Sequence, residues 1–251
     1  MSTKGKRVRV AALADLHCGK TVPATFQPLF RHINNNADIF LLCGDLTDHG
    51  LLEEGEALVR ELKATITIPM LAVLGNHDWH SGKQVELEQF LEGSGIHVLD
   101  GDDCEIHGIG FTGVKGFGGG FGRHTLEAWG EDAIKRFVYE AVEEALKLEK
   151  SLARLGTPQK IAMLHYAPIQ ATVEGEPPPI FPFLGSSRLE EPLNRWPVTV
   201  VFHGHAHHGS PEGRTKEGVP VYNVALPVLR DAFGDVPPVR ILEVPLGKDE
   251  G

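Results

Sequence analysis

Five short apolar runs in this chain each stop abruptly at Asp, Asn or His. Val8–Ala14 ends at Asp15-Leu16-His17, Ile39–Cys43 at Gly44-Asp45, and Pro69–Leu74 at Gly75-Asn76-His77-Asp78. Lys160–Leu164 ends at His165, and Val198–Phe202 runs into His203-Gly204-His205-Ala206-His207-His208. Short Val-, Leu- and Ile-rich runs of this kind read as buried core strands. The polar or permissive residues that end them then fall at strand carboxyl ends, where open α/β sheets place their ligands. Any one such end also fits an ordinary turn.

Between the runs lie helical patterns. Phe26 to Ile33, Leu51 to Ala64 and Gln84 to Leu91 each carry apolar residues at helical spacing. Three strand–polar turn–helix units in succession predict βαβ connections with right-handed crossovers. After Gly95 the pattern changes: Ile96–Leu99, Cys104–His107 and Ile109–Val114 follow one another without helices, which predicts hairpin-like pairing. Gly116 to Gly122 reads as a mobile connector, because it lacks the Lys-Ser/Thr and the strand–helix setting of a phosphate-binding loop. Leu126 to Leu155 is the longest helical stripe, closed by Gly156 and Pro158. The Pro- and Gly-rich stretch Val173–Ser187, with Phe181 and Phe183 embedded, reads as a rim or lid, or equally as an inert surface excursion. Val219–Val224 and Val239–Val244 are expected to close the sheet. With no internal repeat or linker, residues 1–251 are expected to form one domain.

A net charge of −10 argues against broad binding to nucleic acid or to an acidic membrane surface. The basic start, Met1 to Arg9, leads into an apolar run broken by Asp15 and His17, which is neither a secretory core nor a membrane span. Cys18, Cys43 and Cys104 lack zinc-type spacing and do not form a disulfide framework. The expectation is a cytoplasmic protein.

The five strand ends together are the informative set. One His at a strand end is an ordinary residue, whereas Asp15/His17, Asp45, Asn76/His77, His165 and His205/His207 supply oxygen and imidazole donors repeatedly. Side chains two apart on an extended segment point the same way, so Asp15 with His17, and His205 with His207, are each expected to grip one centre. The ordered series Asp-x-His, Gly-Asp, Gly-Asn-His-Asp, a single His and Gly-His-x-His resembles the calcineurin-like metallophosphoesterase superfamily, over about Arg7 to His207.

That resemblance implies an α/β fold, a four-layer α/β/β/α sandwich of two mixed sheets flanked by helices, built around two metal ions. By motif position it assigns Asp15, His17, Asp45 and His207 to the first metal. Asp45 bridges to the second, completed by Asn76, His165 and His205. The donors suit Mn, Fe or Zn, with Co or Ni also accommodated. The implied reaction is in-line hydrolysis of a small-molecule phosphoester by metal-activated water, with His77 as general acid or charge stabiliser and Asp48 orienting it. Asp48 could also be a helix cap. Asp48-His49-Gly50 stands where phosphoprotein phosphatases carry Asp-Arg-Gly, and His lacks the Arg fork. The expectation therefore leans to a phosphodiesterase, cyclic nucleotides included. The alternatives are a phosphomonoesterase on a small metabolite and a non-catalytic binding protein on the same fold. Loss of ligands would mark the latter, and none is lost.

Overall fold

A computed structural model describes residues 7–20 and 26–246. The basic start through Lys6 lies outside the described residues. In chain order the first half comprises β1 (Arg7–Leu13), α1 (Phe26–Asn36), β2 (Ile39–Cys43), α2 (Leu52–Lys63), β3 (Met70–Val73), α3 (Gln84–Gly93), β4 (Ile96–Val98), β5 (Asp103–Ile106) and β6 (Ile109–Val114). The second half comprises α4 (Asp132–Arg154), β7 (Gln159–Leu164), α5 (Phe181–Leu184), α6 (Ser187–Arg195), β8 (Val200–His203), β9 (Glu212–Arg214), β10 (Pro220–Asn223), α7 (Leu226–Phe233) and β11 (Arg240–Pro245).

Two mixed sheets face each other. The first has the order β11-β1-β2-β3-β4 and the second β5-β6-β7-β8-β10-β9. Strands β1 to β4 are mutually parallel, as the strand–helix alternation predicted, and β11 joins antiparallel at the edge of β1. In the second sheet β6, β7, β8 and β10 are parallel, and β5 and β9 are antiparallel edges. Alternation along a strand shows how the layers stack. On β7, Ile161 and Met163 belong to the large core between the sheets, while Ala162 and Leu164 pack into a second core with Leu148 and Leu152 of α4 and Leu189 and Leu193 of α6. Both faces of the sheet are thus buried, which is why its strands read as continuous apolar runs.

Several expectations are corrected. Ile96–Val98 does not pair as a hairpin: β4 extends the first sheet, parallel to β3, and only β5 and β6 form the hairpin. The two C-terminal strands do not close one sheet, since β10 joins the second and β11 the first. Helix α4 begins at Asp132 and not at Leu126, because Gly130 holds φ +86°, a left-handed conformation that a helix cannot continue through. Gly116–Phe121 is not a loose connector. Its backbone is pinned by Gly119 N–H donating to the Pro182 carbonyl (2.6 Å), Gly120 N–H donating to Gly185 (2.9 Å), and Gly116 N–H donating to the buried Glu144 carboxylate (2.7 Å). The Pro-rich stretch is likewise structured, with the short α5 followed by α6, whose interior Pro192 masks its helical pattern.

Candidate active site

The carboxyl ends of β1, β2, β3, β7 and β8 converge on one face, and each delivers its polar residues through a sharp turn. Asp15, His17, Asp45 and His205 all adopt left-handed backbone (φ +59°, +44°, +49° and +70°), an uncommon and strained conformation for residues with a side chain. The neighbouring glycines admit these side chains: a Cβ at Gly75 would collide with Asp45, and one at Gly204 with Asp15. The convergence therefore comes from kinked strand ends, not from the pleat that the two-residue spacing suggested. His205 and His207 accordingly fall in different donor groups.

Three groups of donors form. Asp15, His17 and His207 make one; Asp45, His165 and His205 make another; His17, Asp45 and His77 make the third, each with ligand atoms within 4.8 Å of one another. In the first, His207 Nε2 is 2.9 Å from Asp15 Oδ1 and 3.5 Å from His17 Nε2, which in turn is 3.7 Å from Asp45 Oδ2. In the second, His165 Nε2 lies 3.3 Å from Asp45 Oδ1 and 2.9 Å from Asn76 Oδ1. The two oxygens of Asp45 thus face different groups.

The imidazole tautomers follow from their other contacts. His165 Nδ1 donates to the Cys43 carbonyl (3.0 Å), which turns Nε2 inward. His205 Nε2 donates to the Phe183 carbonyl (3.1 Å), leaving Nδ1 as its free ring nitrogen. Main-chain carbonyls holding the outer ring nitrogen are the usual way a metal-ligating His is oriented. The electrostatics point the same way. Burial lowers the His165 pKa, yet the Asp45 and Asp15 carboxylates win and push it up to about 9. The hydrogen bond to Asp15 raises His207. Burial, with the His165 charge, lowers His205 to about 4. Crowded oxygen and imidazole acceptors around two buried carboxylates call for positive charge, and without thiolates the set suits hard or borderline divalent ions.

His77, which belongs to the third group, has its ring centroid 4.4 Å from that of His17. Its N–H donates to Asp45 Oδ1 (2.8 Å), and its Nδ1 donates to the main-chain carbonyl of Asp48 (2.7 Å). The Asp48 carboxylate stands 3.9 Å from that nitrogen, so the carbonyl and not the acid makes the orienting bond. Nor does Asp48 cap α2, where Glu54 reaches back to the N–H groups of His49 and Leu51. His49 pairs with Asp48 and Glu54, at 3.2 and 3.4 Å.

Sequence reasoning left Asp78 without a specific role, but it is the staple of the site. Fully buried, it accepts from the N–H of Leu46, Thr47 and Gly75 and from the Thr47 hydroxyl, at 2.6 to 3.2 Å, tying the turn after β2 to the turn after β3. Burial, with the nearby Asp45 charge, pushes its carboxyl up to about 6. Its position in Gly-Asn-His-Asp was the available signal. His203 is buried between the Gly204 carbonyl and the Thr172 hydroxyl, at 2.8 Å from each, and is structural.

A helix-flanked double sheet with Asp, Asn and His gathered at its strand ends defines a class of metal-dependent hydrolases. The family model described as calcineurin-like phosphoesterase matches residues 8–209, and the chain belongs to that family of dinuclear-metal phosphoester hydrolases. Among solved structures, phosphopantetheinyl hydrolase from Mycobacterium tuberculosis is similar at 14% identity and a TM-score of 0.67, over 95% of this chain and 96% of that one. A protein from Thermus thermophilus is similar at 14% identity and a TM-score of 0.57, over 96% of this chain and 99% of that one. A 5'-nucleotidase described from Staphylococcus aureus aligns at 13% identity and a TM-score of 0.56, over 87% of this chain and 48% of that one. These structures share the fold. A search of curated proteins found no match. No helix among the described residues is long and apolar enough to cross a membrane.

Proposed function

We propose that the centre hydrolyses phosphodiesters, with seven strand-end residues holding two divalent transition-metal ions. Asp15, His17, Asp45 and His207 would hold the first, and Asp45, Asn76, His165 and His205 the second. The observation that carries this reading is that Asp45 turns one oxygen to His17, which groups with Asp15 and His207, and the other to His165, which groups with His205. Bound there, such ions supply Lewis acidity at phosphoryl oxygens and lower the pKa of water. Mn, Fe and Zn fit the donors first, and Co or Ni also fit.

The chain's own groups do the rest. The Cys43 and Phe183 carbonyls hold His165 and His205 in the tautomers that turn a free nitrogen inward. His77 commits Nδ1–H to the Asp48 carbonyl, so Nε2 of its partly exposed ring is the atom that holds or passes a proton to the leaving oxygen. Asp48 positions it through the main chain.

Diesters are favoured over monoesters because His49 replaces the phosphate-gripping Arg. Among the described residues, the cavity beside Asn76 and His205 is also lined by no Lys or Arg. A monoanionic diester needs less cationic contact than a dianionic monoester. Cyclic nucleotides belong to that class and are the first diesters to assay.

Protein reconstituted with each metal is expected to cleave bis-para-nitrophenyl phosphate with higher kcat/KM than para-nitrophenyl phosphate. The opposite order would make it a phosphomonoesterase. His77→Ala is expected to keep both metals while turnover falls about a hundredfold or more, the usual weight of a positioned acid. Metal loss in that variant would remove His77 from the proton-transfer role.

A further inference from the structure

The metal-ligand residues Asn76 and His205 open onto a cavity of about 430 Å³, within the range of small-molecule sites. Much of the rest of its lining is aromatic. Phe117 and Phe137 approach at 4.9 Å between centroids, Phe137 and Phe183 meet edge to face at 6.2 Å, and Phe117 lies 5.8 Å from Tyr166. Among the described residues none of the lining side chains is Asp, Glu, Lys or Arg. The nearest buried cation, the Lys115 ammonium, sits 5.0 Å from the Phe117 ring and 5.4 Å from the Tyr166 ring, yet Lys115 is only 7% exposed and bonds the Gly116 carbonyl. It polarises the rings without presenting charge to a ligand. Phe183 is 61% exposed, an apolar ring left in water at the mouth of a polar site. Its carbonyl already holds His205, so the ring stands next to the phosphoryl position while the backbone serves the centre.

Resting on the phosphoesterase reading of the site, we infer that this cavity takes an uncharged aromatic group of the ester, seated against Phe183, Phe137 and Phe117. The occupant is aromatic because the wall offers ring faces and edges, which prefer offset or edge-to-face partners. It is uncharged because nothing in the lining would compensate a desolvated charge. The cavity is continuous with the ligand residues, so the group belongs to the molecule being cleaved and not to a separate effector.

The test uses non-hydrolysable probes sharing one head group. Calorimetric titration of the manganese-loaded protein with phenylphosphonate, methylphosphonate and phosphonoacetate reads the cavity without turnover. Phenylphosphonate is expected to bind about tenfold more tightly than methylphosphonate, from burial of one ring face. Phosphonoacetate, which adds a second charge, is expected to bind no better than methylphosphonate. Phe183→Ala, which retains the carbonyl to His205, should shrink the phenyl-to-methyl ratio to about twofold, and Phe183→Tyr should keep it. A wild-type ratio near one, undetectable phenylphosphonate binding, or a ratio unchanged in Phe183→Ala would overturn the inference. Parallel assays separate the two readings. Hydrolysis with a ratio of one leaves the enzyme and removes the aromatic subsite; a tenfold ratio without hydrolysis of any ester does the reverse.

Discussion

The two sheets contribute unlike halves to the site. Every carboxylate comes from the first: Asp15, Asp45, Asp48 and Asp78, together with His17, Asn76 and His77. The second contributes only imidazoles, His165, His205 and His207, at the ends of β7 and β8. The first-sheet turns are cross-bonded: Asp15 N–H donates to Gly44, His17 N–H to Asp45, and Asp48 N–H to Cys18, at 3.0 to 3.1 Å, and Asp78 joins the turns after β2 and β3. Between β7 and β8 the chain instead makes a long excursion that builds α5 and α6 and brings Tyr166 and Phe183 to the aromatic wall, whose Phe117 follows β6 and whose Phe137 lies on α4. The carboxylates sit on the half whose turns are tied to one another, and the aromatic surface proposed to seat the substrate's organic part sits on the elaborated half. Preorganised electrostatics requires such rigidity, whereas specificity is set by loops on a fixed scaffold.

Four substitutions probe that division. Asp45→Ala should have the largest effect, since it removes the carboxylate whose two oxygens face His17 and His165. Loss of both metals by elemental analysis and a fall in turnover on the order of a thousandfold or more are expected. Retention of either in full would end the shared role of Asp45. Asp78→Ala should cost about 3 kcal/mol in denaturant unfolding, because it strands four buried donors at once. A loss under about 1 kcal/mol would show that the first-sheet turns do not depend on this staple. Asp48→Asn keeps the carbonyl that His77 uses, so kcat should stay within about twofold. A much larger drop would restore the carboxylate to the orienting role that the family pattern implies.

The smallest effect lies away from the site, at the start of the same sheet. Arg9 donates from its N–H and its guanidinium to Asp38, at 2.8 to 3.2 Å, and the hydrogen bond holds the Asp38 carboxyl below its ordinary value. A lowered carboxyl pKa stabilises the fold above the unfolded value, and that stability is lost as pH falls through the folded one. Both side chains are more than a third exposed, so Asp38→Asn should cost only about 0.5 kcal/mol at neutral pH. The cost should vanish in urea titrations well below about pH 4, near the unfolded carboxyl value. A cost that persists there would assign the effect to packing and not to charge.

Much of the first half was legible because local signals agreed there. Apolar runs, amphipathic helices and polar strand ends alternated, so β1, β2 and β3 and the donors after them could be placed from sequence. Legibility failed where local signals were weak or shared. The short run Ile96–Val98 pairs with β3 only because α3 carries it back, and nothing in so short a run distinguishes that from a hairpin. Pro192 hid α6, and the glycines of Gly116–Phe121 looked loose because their partners, Pro182 and Gly185, are far along the chain.

By itself the sequence determined which residue types stand at the ends of five strands and in what order, because strand ends are set by local hydrophobicity and turn chemistry. From those alone the class of chemistry follows. Only the tertiary structure decided that Asp45 turns one oxygen to His17 and the other to His165, that the Asp48 carbonyl rather than its acid bonds His77, that Asp78 ties two turns together, and that aromatic rings wall one side. Each of these depends on contacts between residues distant in the chain. Pattern along one strand carries no record of them.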